Sequence, residues 1–249
     1  MRPSAVAVTA ALASALAGCG GGAPLLHPAH VLNPGDVSFG AGVIGQFGAL
    51  DPPPPARPDD RGAPLLDSIT VAPGVSPFVA GRVGITGGFE AGLTYTGREI
   101  RIDGRKAFTF KPWSLSLGLG GTVLLPKPLP GDSGSVYGAG ADLPFLVGWK
   151  SDADLYSFWF GPRVGFEILG GRVLENQFVA GGSDNRFDDL SGQHVYAGGL
   201  LGFRVGFRHF HAALELDVNY HFAAGTFGPE EASSENLSIA PAGAMIASF

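Results

Sequence analysis

The 249-residue chain has one cysteine and four lysines, and charged residues make up only 15% of it. A single cysteine allows neither an internal disulfide nor a cysteine-based zinc site. The hydrophobic fraction of 45% excludes a disordered chain, which lacks apolar residues. The net charge of −6 argues against nucleic-acid binding. We therefore expect one folded domain, or at most two small ones, with no nucleic-acid partner.

Helical and catalytic signals are also scarce. After Cys19, no 3.6-residue apolar stripe continues for more than two turns. The 40 glycines and 20 prolines oppose helices, since glycine lowers helix propensity by about 1 kcal/mol per position and proline by about 3. No G-x-S-x-G motif and no P-loop occurs. We expect neither a helical bundle nor an enzyme, and no cofactor.

The first residues form a targeting signal. A basic start, Met1-Arg2, precedes the small apolar run Ala5–Ala17, which is shorter than the roughly 20 residues of a membrane-spanning helix. Residues 1–18 are therefore predicted to be a signal peptide. Leu16-Ala17-Gly18-Cys19 resembles the lipobox of bacterial lipoproteins, which implies lipidation of Cys19. An ordinary signal cleaved after Ala17 is the alternative. Residues 19–35, rich in glycine and proline, are predicted to be a lipid-anchored periplasmic tether.

From residue 36 to 249 the chain alternates with a period of two, as β-strands do. In Phe210–His221 one face carries Phe210, Leu214, Leu216 and Val218, and the other carries His211, Glu215, Asp217 and Asn219. A soluble sandwich or lipocalin-like barrel would also alternate, but its wet face should be rich in lysine and glutamate. The polar rows here are mostly small residues with isolated charges, which favours a membrane barrel with a crowded lumen.

The predicted fold is all-β: an antiparallel up-and-down transmembrane β-barrel of about ten strands, with eight to twelve as the alternative. An even number is typical of single-chain outer-membrane barrels. An extra strand near Leu65–Val71 would break that parity, and the prolines of the first long loop predict a stiff, non-helical segment. The predicted strands are Val37–Gly48, Phe78–Ile85, Phe89–Thr96, Glu99–Phe110, Trp113–Val123, Val136–Trp149, Leu155–Ile168, His194–Phe207, Phe210–His221 and Leu237–Phe249.

The carboxyl-terminal residues resemble the terminal signature of outer-membrane barrels, with a final aromatic, Phe249, and apolar residues such as Met245 at alternate positions before it. Arg82–Ile85 and Gly161–Gly165 also resemble segments of small outer-membrane barrels of unassigned function. The resemblance implies a monomer in the bacterial outer membrane whose partners are the barrel-assembly machinery, membrane lipids and lipopolysaccharide. Strand parity places the chain end at the periplasmic side, and we expect Cys19 on the same side.

A ten-stranded barrel encloses little more space than eight strands, whose side chains just fill the interior. We therefore expect paired charges to close the lumen, with Glu90 facing Arg105, Arg82 diagonal to Glu90, and Arg204 near Glu215. The whole predicted network is Arg82, Glu90, Arg101, Asp103, Arg105, Asp142, Arg163, Arg204, Glu215 and Asp217.

Function follows less directly than fold. His194 and His221 both face inward near the outer rim and are weak metal-ligand candidates, because a catalytic zinc site needs a third ligand and an open position. We expect an outer-membrane lipoprotein with a charge-plugged lumen and a structural or surface-interaction role. A narrow channel or transporter for small solutes and, less favoured, a membrane-embedded hydrolase are the alternatives.

Overall fold

The computed structural model describes residues 21–50, 62–128, 134–174 and 187–249. These residues form ten strands and one short helix, and the long period-two segments of the sequence become the strands. The strands are β1 (Val37–Gly48), β2 (Gly74–Ile85), β3 (Phe89–Tyr95), β4 (Glu99–Phe110), β5 (Trp113–Pro128), β6 (Gly134–Lys150), β7 (Tyr156–Leu174), β8 (Phe187–Phe207), β9 (Phe210–Phe227) and β10 (Glu230–Ser248), with helix α1 (Gly62–Thr70) between β1 and β2.

Each strand pairs antiparallel with its neighbours in the chain, and β1 pairs with β10 to close the barrel. The closing register runs from Ser38 opposite Ser248 to Gly48 opposite Ser238. The predicted ten-stranded antiparallel barrel is thereby confirmed. We call the end where β1 begins and β10 finishes the terminal rim, and the opposite end the far rim.

Strands β7 to β10 extend further toward the far rim than the alternation predicted. The expected loop Phe222–Asn236 is instead the end of β9, a tight turn at residues 228–229 and the start of β10. The inward face changes chemistry there, from polar to apolar at Ala223 and Phe227. The strands were predicted from alternating apolar and polar residues, so residues with apolar side chains on the inward face were not predicted to be strand.

Helix α1 corrects the expectation of a non-helical first loop, and it stands where the less favoured alternative placed an extra strand, near Leu65–Val71. Leu66 and Ile69 are spaced to lie on one helical face. Both are buried in an apolar cluster with residues from β5 to β10. The Arg98 guanidinium donates to the Ile69 carbonyl near the carboxyl end of the helix, where carbonyls lack intrahelical partners. The helix therefore caps the far end of the lumen, a contact that depends on barrel closure.

The barrel surface is the reverse of a soluble protein's. Side chains such as Ile102, Leu214 and Phe110 point outward and are 66%, 64% and 67% exposed, whereas the charged side chains between the apolar positions are buried inside. Among the described residues, no helix has the length and apolar character needed to cross a bilayer. An outward apolar face and an inward polar face, alternating along closed antiparallel strands, define a transmembrane β-barrel.

Candidate functional site

The interior holds a continuous chain of alternating charges. In spatial order it contains Arg105, Glu90, Arg82, Asp103, Arg101, Asp142 and Arg163, each in an ion pair with the next. The Arg105–Glu90, Arg101–Asp103 and Arg163–Asp142 pairs are 2.7, 2.6 and 2.8 Å long. Asp217 stands 3.8 Å from the last arginine. The pairing compensates charges that would be costly to bury alone.

Strand register positions this network. Glu90 on β3 is directly opposite Arg105 on β4, and Arg82 on β2 is opposite Gly92, two residues from Glu90. The two guanidinium groups therefore reach the same carboxylate from neighbouring strands. A slip of one residue would turn all three charges toward the outside.

The expected approach of Arg204 to Glu215 is not formed. Glu215 on β9 is opposite Gly202, and the guanidinium of Arg204 pairs instead with Asp154 in the β6–β7 turn, at 2.7 Å. The Glu215 carboxylate accepts from the indole nitrogen of Trp159 at 2.6 Å. Strand parity predicts only contacts between residues on strands, so it could not predict that a turn residue at the terminal rim would pair with Arg204.

Residues 21–32, which we call the plug, run through the lumen instead of forming a tether outside the barrel. Glu215 accepts hydrogen bonds from the backbone N–H groups of Leu25 and Leu26. Arg105 donates to the carbonyls of Pro28 and His30. The plug pairs with no strand, so barrel side chains satisfy these buried backbone groups.

Further contacts fix the plug at both ends. Leu32 N–H donates to Glu90 at 2.8 Å near the terminal rim. Deeper inside, Arg163 donates to the Ala23 carbonyl at 2.5 Å and Asn219 to the Gly22 carbonyl at 3.2 Å. Glu90, Arg105 and Arg163 thus belong to the ion-pair chain and bind the plug as well. The network closes the lumen together with a segment of the same chain.

Glycines on the wall make room for the largest lumenal side chains. A Cβ atom at Gly202 would lie 2.0 Å from the Trp159 ring, and one at Gly120 would lie 2.1 Å from the Asp142 carboxylate. Such contacts are far shorter than van der Waals distance, so a larger residue would force the Trp159 ring or the Asp142 carboxylate to move. This accounts for part of the unusual glycine content.

The two inward histidines belong to a buried relay. His194 Nδ1 is 2.8 Å from Glu167, His194 Nε2 is 2.9 Å from His221 Nδ1, and His221 Nε2 is 2.7 Å from the Ser238 hydroxyl. An ionised Glu167 accepts, so the protons point from Ser238 toward Glu167. Every ring nitrogen of the pair is engaged. Within the described residues no group of three or more potential ligands is placed to hold a metal ion.

The relay resembles the order of groups that activates a serine nucleophile. Ser238 is, however, completely buried. No substrate can reach its hydroxyl with the plug in place. In this state of the protein the arrangement is a hydrogen-bonded polar network. The Ser238 hydroxyl could react with a substrate only if the lumen opened.

The remaining predicted residues lie at the terminal rim or outside the described residues. Met245 and Phe249 are both 61% exposed on the outer side, and the Phe249 ring stacks on His209 with centroids 5.6 Å apart. Their role as an assembly signal stays a prediction. The signal peptide, residues 1–18, and Cys19 lie outside the described residues.

Sequence reasoning missed several lumenal residues. His27, His30 and the rest of the plug carry no apolar period, and nothing in the sequence distinguishes them from a linker. Trp159 stands at an inward position, and its pairing with Glu215 could have been considered from register alone. His30 lies outside the strands, 3.2 Å from the Pro112 carbonyl. Burial, with the nearby Lys150 charge, lowers the pKa of His30 to about 4.

Fold, surface and lumen define the class: a transmembrane β-barrel with a filled interior. No family model and no curated protein matches the chain. Among solved structures it is similar to the CymD monoaromatic hydrocarbon channel, at 9% identity over 88% of this chain and 89% of that chain, with a TM-score of 0.27. It is also similar to outer-membrane expressed OmpT of Vibrio cholerae, at 7% identity over 88% and 100%, with a TM-score of 0.16.

Proposed function

We propose that this protein is an outer-membrane β-barrel of the bacterial cell envelope that is closed at rest and has a structural or surface-interaction role. The observation that carries the proposal is the plug, whose backbone is bound by Glu215, Arg105 and Glu90 inside the lumen. Helix α1 closes the far end with an apolar cluster. Ions therefore meet two barriers in series, an ordered polar network and an apolar cap.

The orientation follows from the connections. Single-chain outer-membrane barrels have short periplasmic turns and longer extracellular loops. The terminal rim carries turns such as residues 111–112 and 208–209, whereas the far rim carries the connection with helix α1. The terminal rim is thus periplasmic in this proposal. Acidic side chains at the far rim, such as Asp189 and Glu230, would face lipopolysaccharide and could bind it through divalent cations.

Lipidation of Cys19 and its position on the periplasmic side stay predictions, because Cys19 lies outside the described residues. Replacing Cys19 with Ser should abolish labelling by a fatty-acid probe, and continued labelling would contradict lipidation.

Conductance in planar bilayers tests the closed barrel. The wild-type protein should give no steady current. The double variant Leu25→Asp/Leu26→Asp places carboxylates beside Glu215, so it should expel the plug and produce openings. Leu50→Asp is the matched control, because Leu50 is exposed near the far rim. A steady wild-type current, or equal currents from the plug variant and the control, would contradict the proposal.

A gated channel for small solutes is the second candidate. It is favoured by the way the plug is held, since side-chain hydrogen bonds and not strand pairing bind it to the wall. In that case the wild-type protein should switch between closed and open levels as the applied voltage increases. A protein that stays silent until the plug is altered supports the structural role instead.

A further inference from the structure

A cavity of about 300 Å³ lies between the plug and the barrel wall and opens at the terminal rim, next to the exposed residues Arg208 and His209. Its volume is at the lower end of the range for small-molecule sites, about 300 to 1,000 Å³. It overlaps one end of the ion-pair chain, because Arg82, Glu90 and Arg105 also line the cavity.

The lining has more cationic than acidic side chains. The cationic ones are Arg82, Arg105, Lys150, Arg204 and Arg208, and the acidic ones are Asp36, Glu90 and Asp154. Each acid already has a partner: Glu90 binds two arginines, Asp154 binds Arg204, and Asp36 binds Asn33. The carboxyl-terminal residue, Phe249, also borders the cavity, and its main-chain oxygen accepts from Val37 N–H. Lys150 makes no ion pair within the described residues.

Five buried polar atoms on this lining have no hydrogen-bond partner among the described residues. They are His27 Nε2, His30 Nδ1, Arg204 Nε, His211 Nδ1 and Ser248 Oγ. The histidines and the arginine are all more than nine-tenths buried. Buried polar groups in native proteins are normally hydrogen-bonded, so five exceptions around one cavity point to a ligand that supplies the partners.

Neighbouring groups determine what each atom offers. Arg105 can only donate, and it lies 2.9 Å from His27 Nδ1, so a neutral His27 carries its proton on Nε2. The carbonyls of Pro112 and Asp154 can only accept, so His30 and His211 hold their protons on Nε2. The donors His27 Nε2 and Arg204 Nε and the acceptors His30 Nδ1 and His211 Nδ1 thus belong to residues that line the cavity, and a ligand that reaches them would supply their missing partners.

We propose that this cavity binds a small soluble phosphate-bearing anion that retains at least one hydroxyl proton. Guanidinium and imidazole N–H groups bind the anionic oxygens, and the two unprotonated imidazole nitrogens accept from hydroxyl groups. The site lies inside the wall and is lined by the plug, so its ligand comes from the aqueous side of the terminal rim. The proposal does not depend on whether the barrel conducts.

Isothermal titration calorimetry of the full-length barrel in a neutral detergent tests the proposal, with inorganic phosphate, glycerol 3-phosphate and sulfate as probes. Phosphate and its ester should bind with a Kd on the order of 1 mM or tighter. Sulfate has no hydroxyl at neutral pH and should bind at least about ten-fold more weakly, because His30 and His211 would then face an acceptor.

Variants assign the binding to the cavity. Arg204→Gln and Lys150→Gln should each weaken phosphate binding by about ten-fold. Arg172→Gln is the matched control, because Arg172 is an exposed arginine near the far rim, paired with Asp189. Retained heat-modifiable migration verifies folding, and Lys150→Gln decides the question if Arg204→Gln does not fold. No saturable phosphate binding, equal binding of sulfate, or an equal loss in Arg172→Gln would each overturn the proposal.

Discussion

Replacing Glu90 with Ala gives the most direct measure of how the ion-pair chain stabilises the barrel. The Glu90 carboxylate accepts hydrogen bonds from Arg82, from Arg105 and from the Leu32 N–H of the plug. Its removal deprives Arg82 and Arg105 of a shared acceptor while both side chains remain almost completely buried. Arg82 retains a second carboxylate, Asp103, whereas Arg105 retains only carbonyl groups and His27.

The expected magnitude follows from this geometry. Removing one partner of a buried ion pair costs about 3–5 kcal/mol, a large part of the roughly 5–15 kcal/mol that typically stabilises a folded domain. Thr94→Ala is the matched control, since Thr94 is buried on the same face of β3. Loss of its hydroxyl should cost about 1 kcal/mol.

Urea unfolding in lipid vesicles measures the free energies, and a double-mutant cycle isolates the interaction. Glu90→Ala combined with Arg105→Ala should recover about 0.5–3 kcal/mol relative to the sum of the single losses. The cycle with Arg82→Ala should recover less, because Arg82 keeps Asp103. Additive losses in the Arg105 cycle, or a larger loss from Thr94→Ala than from Glu90→Ala, would refute the reasoning.

Three further predictions test other parts of the lumen. Gly202→Ala should destabilise the barrel by about 1–3 kcal/mol, because the added Cβ would clash with Trp159. Gly199→Ala is the control and should not destabilise it, because the nearest atom is 3.7 Å from the added Cβ. Urea unfolding compares the two variants. The pKa of His30 is lower in the folded protein than its value of 6.5 in the unfolded chain. The inserted plug should therefore be most stable above pH 6.5 and should lose stability as the pH falls toward about 4. Protease sensitivity of the plug against pH measures this, and His30→Gln should flatten the profile. Ser238 is buried, so a fluorophosphonate probe should not label it; labelling that disappears in Ser238→Ala would revive the hydrolase alternative.

The sequence by itself determined the barrel and its two faces, because a period of two is a local property that each strand displays alone. Phe210–His221 alternates whatever its neighbours are, and an even number of such segments closes a barrel. The contact of Glu90 with Arg105 was also predictable, since the short turn at Gly97-Arg98 sets the register of β3 on β4. These inferences need only neighbours in the chain.

Only the tertiary structure decided what fills the barrel. The plug has no periodic pattern. Its position depends on Glu215, Arg105 and Arg163, which lie on β9, β4 and β7 and come close to one another only when the barrel closes. Helix α1 caps the lumen because strands distant in sequence offer it an apolar cluster. Arg204 pairs with Asp154 because a turn at the terminal rim folds toward it. Each of these contacts joins groups that are near in space only after the ring of strands has closed, so no local pattern in the sequence encodes it.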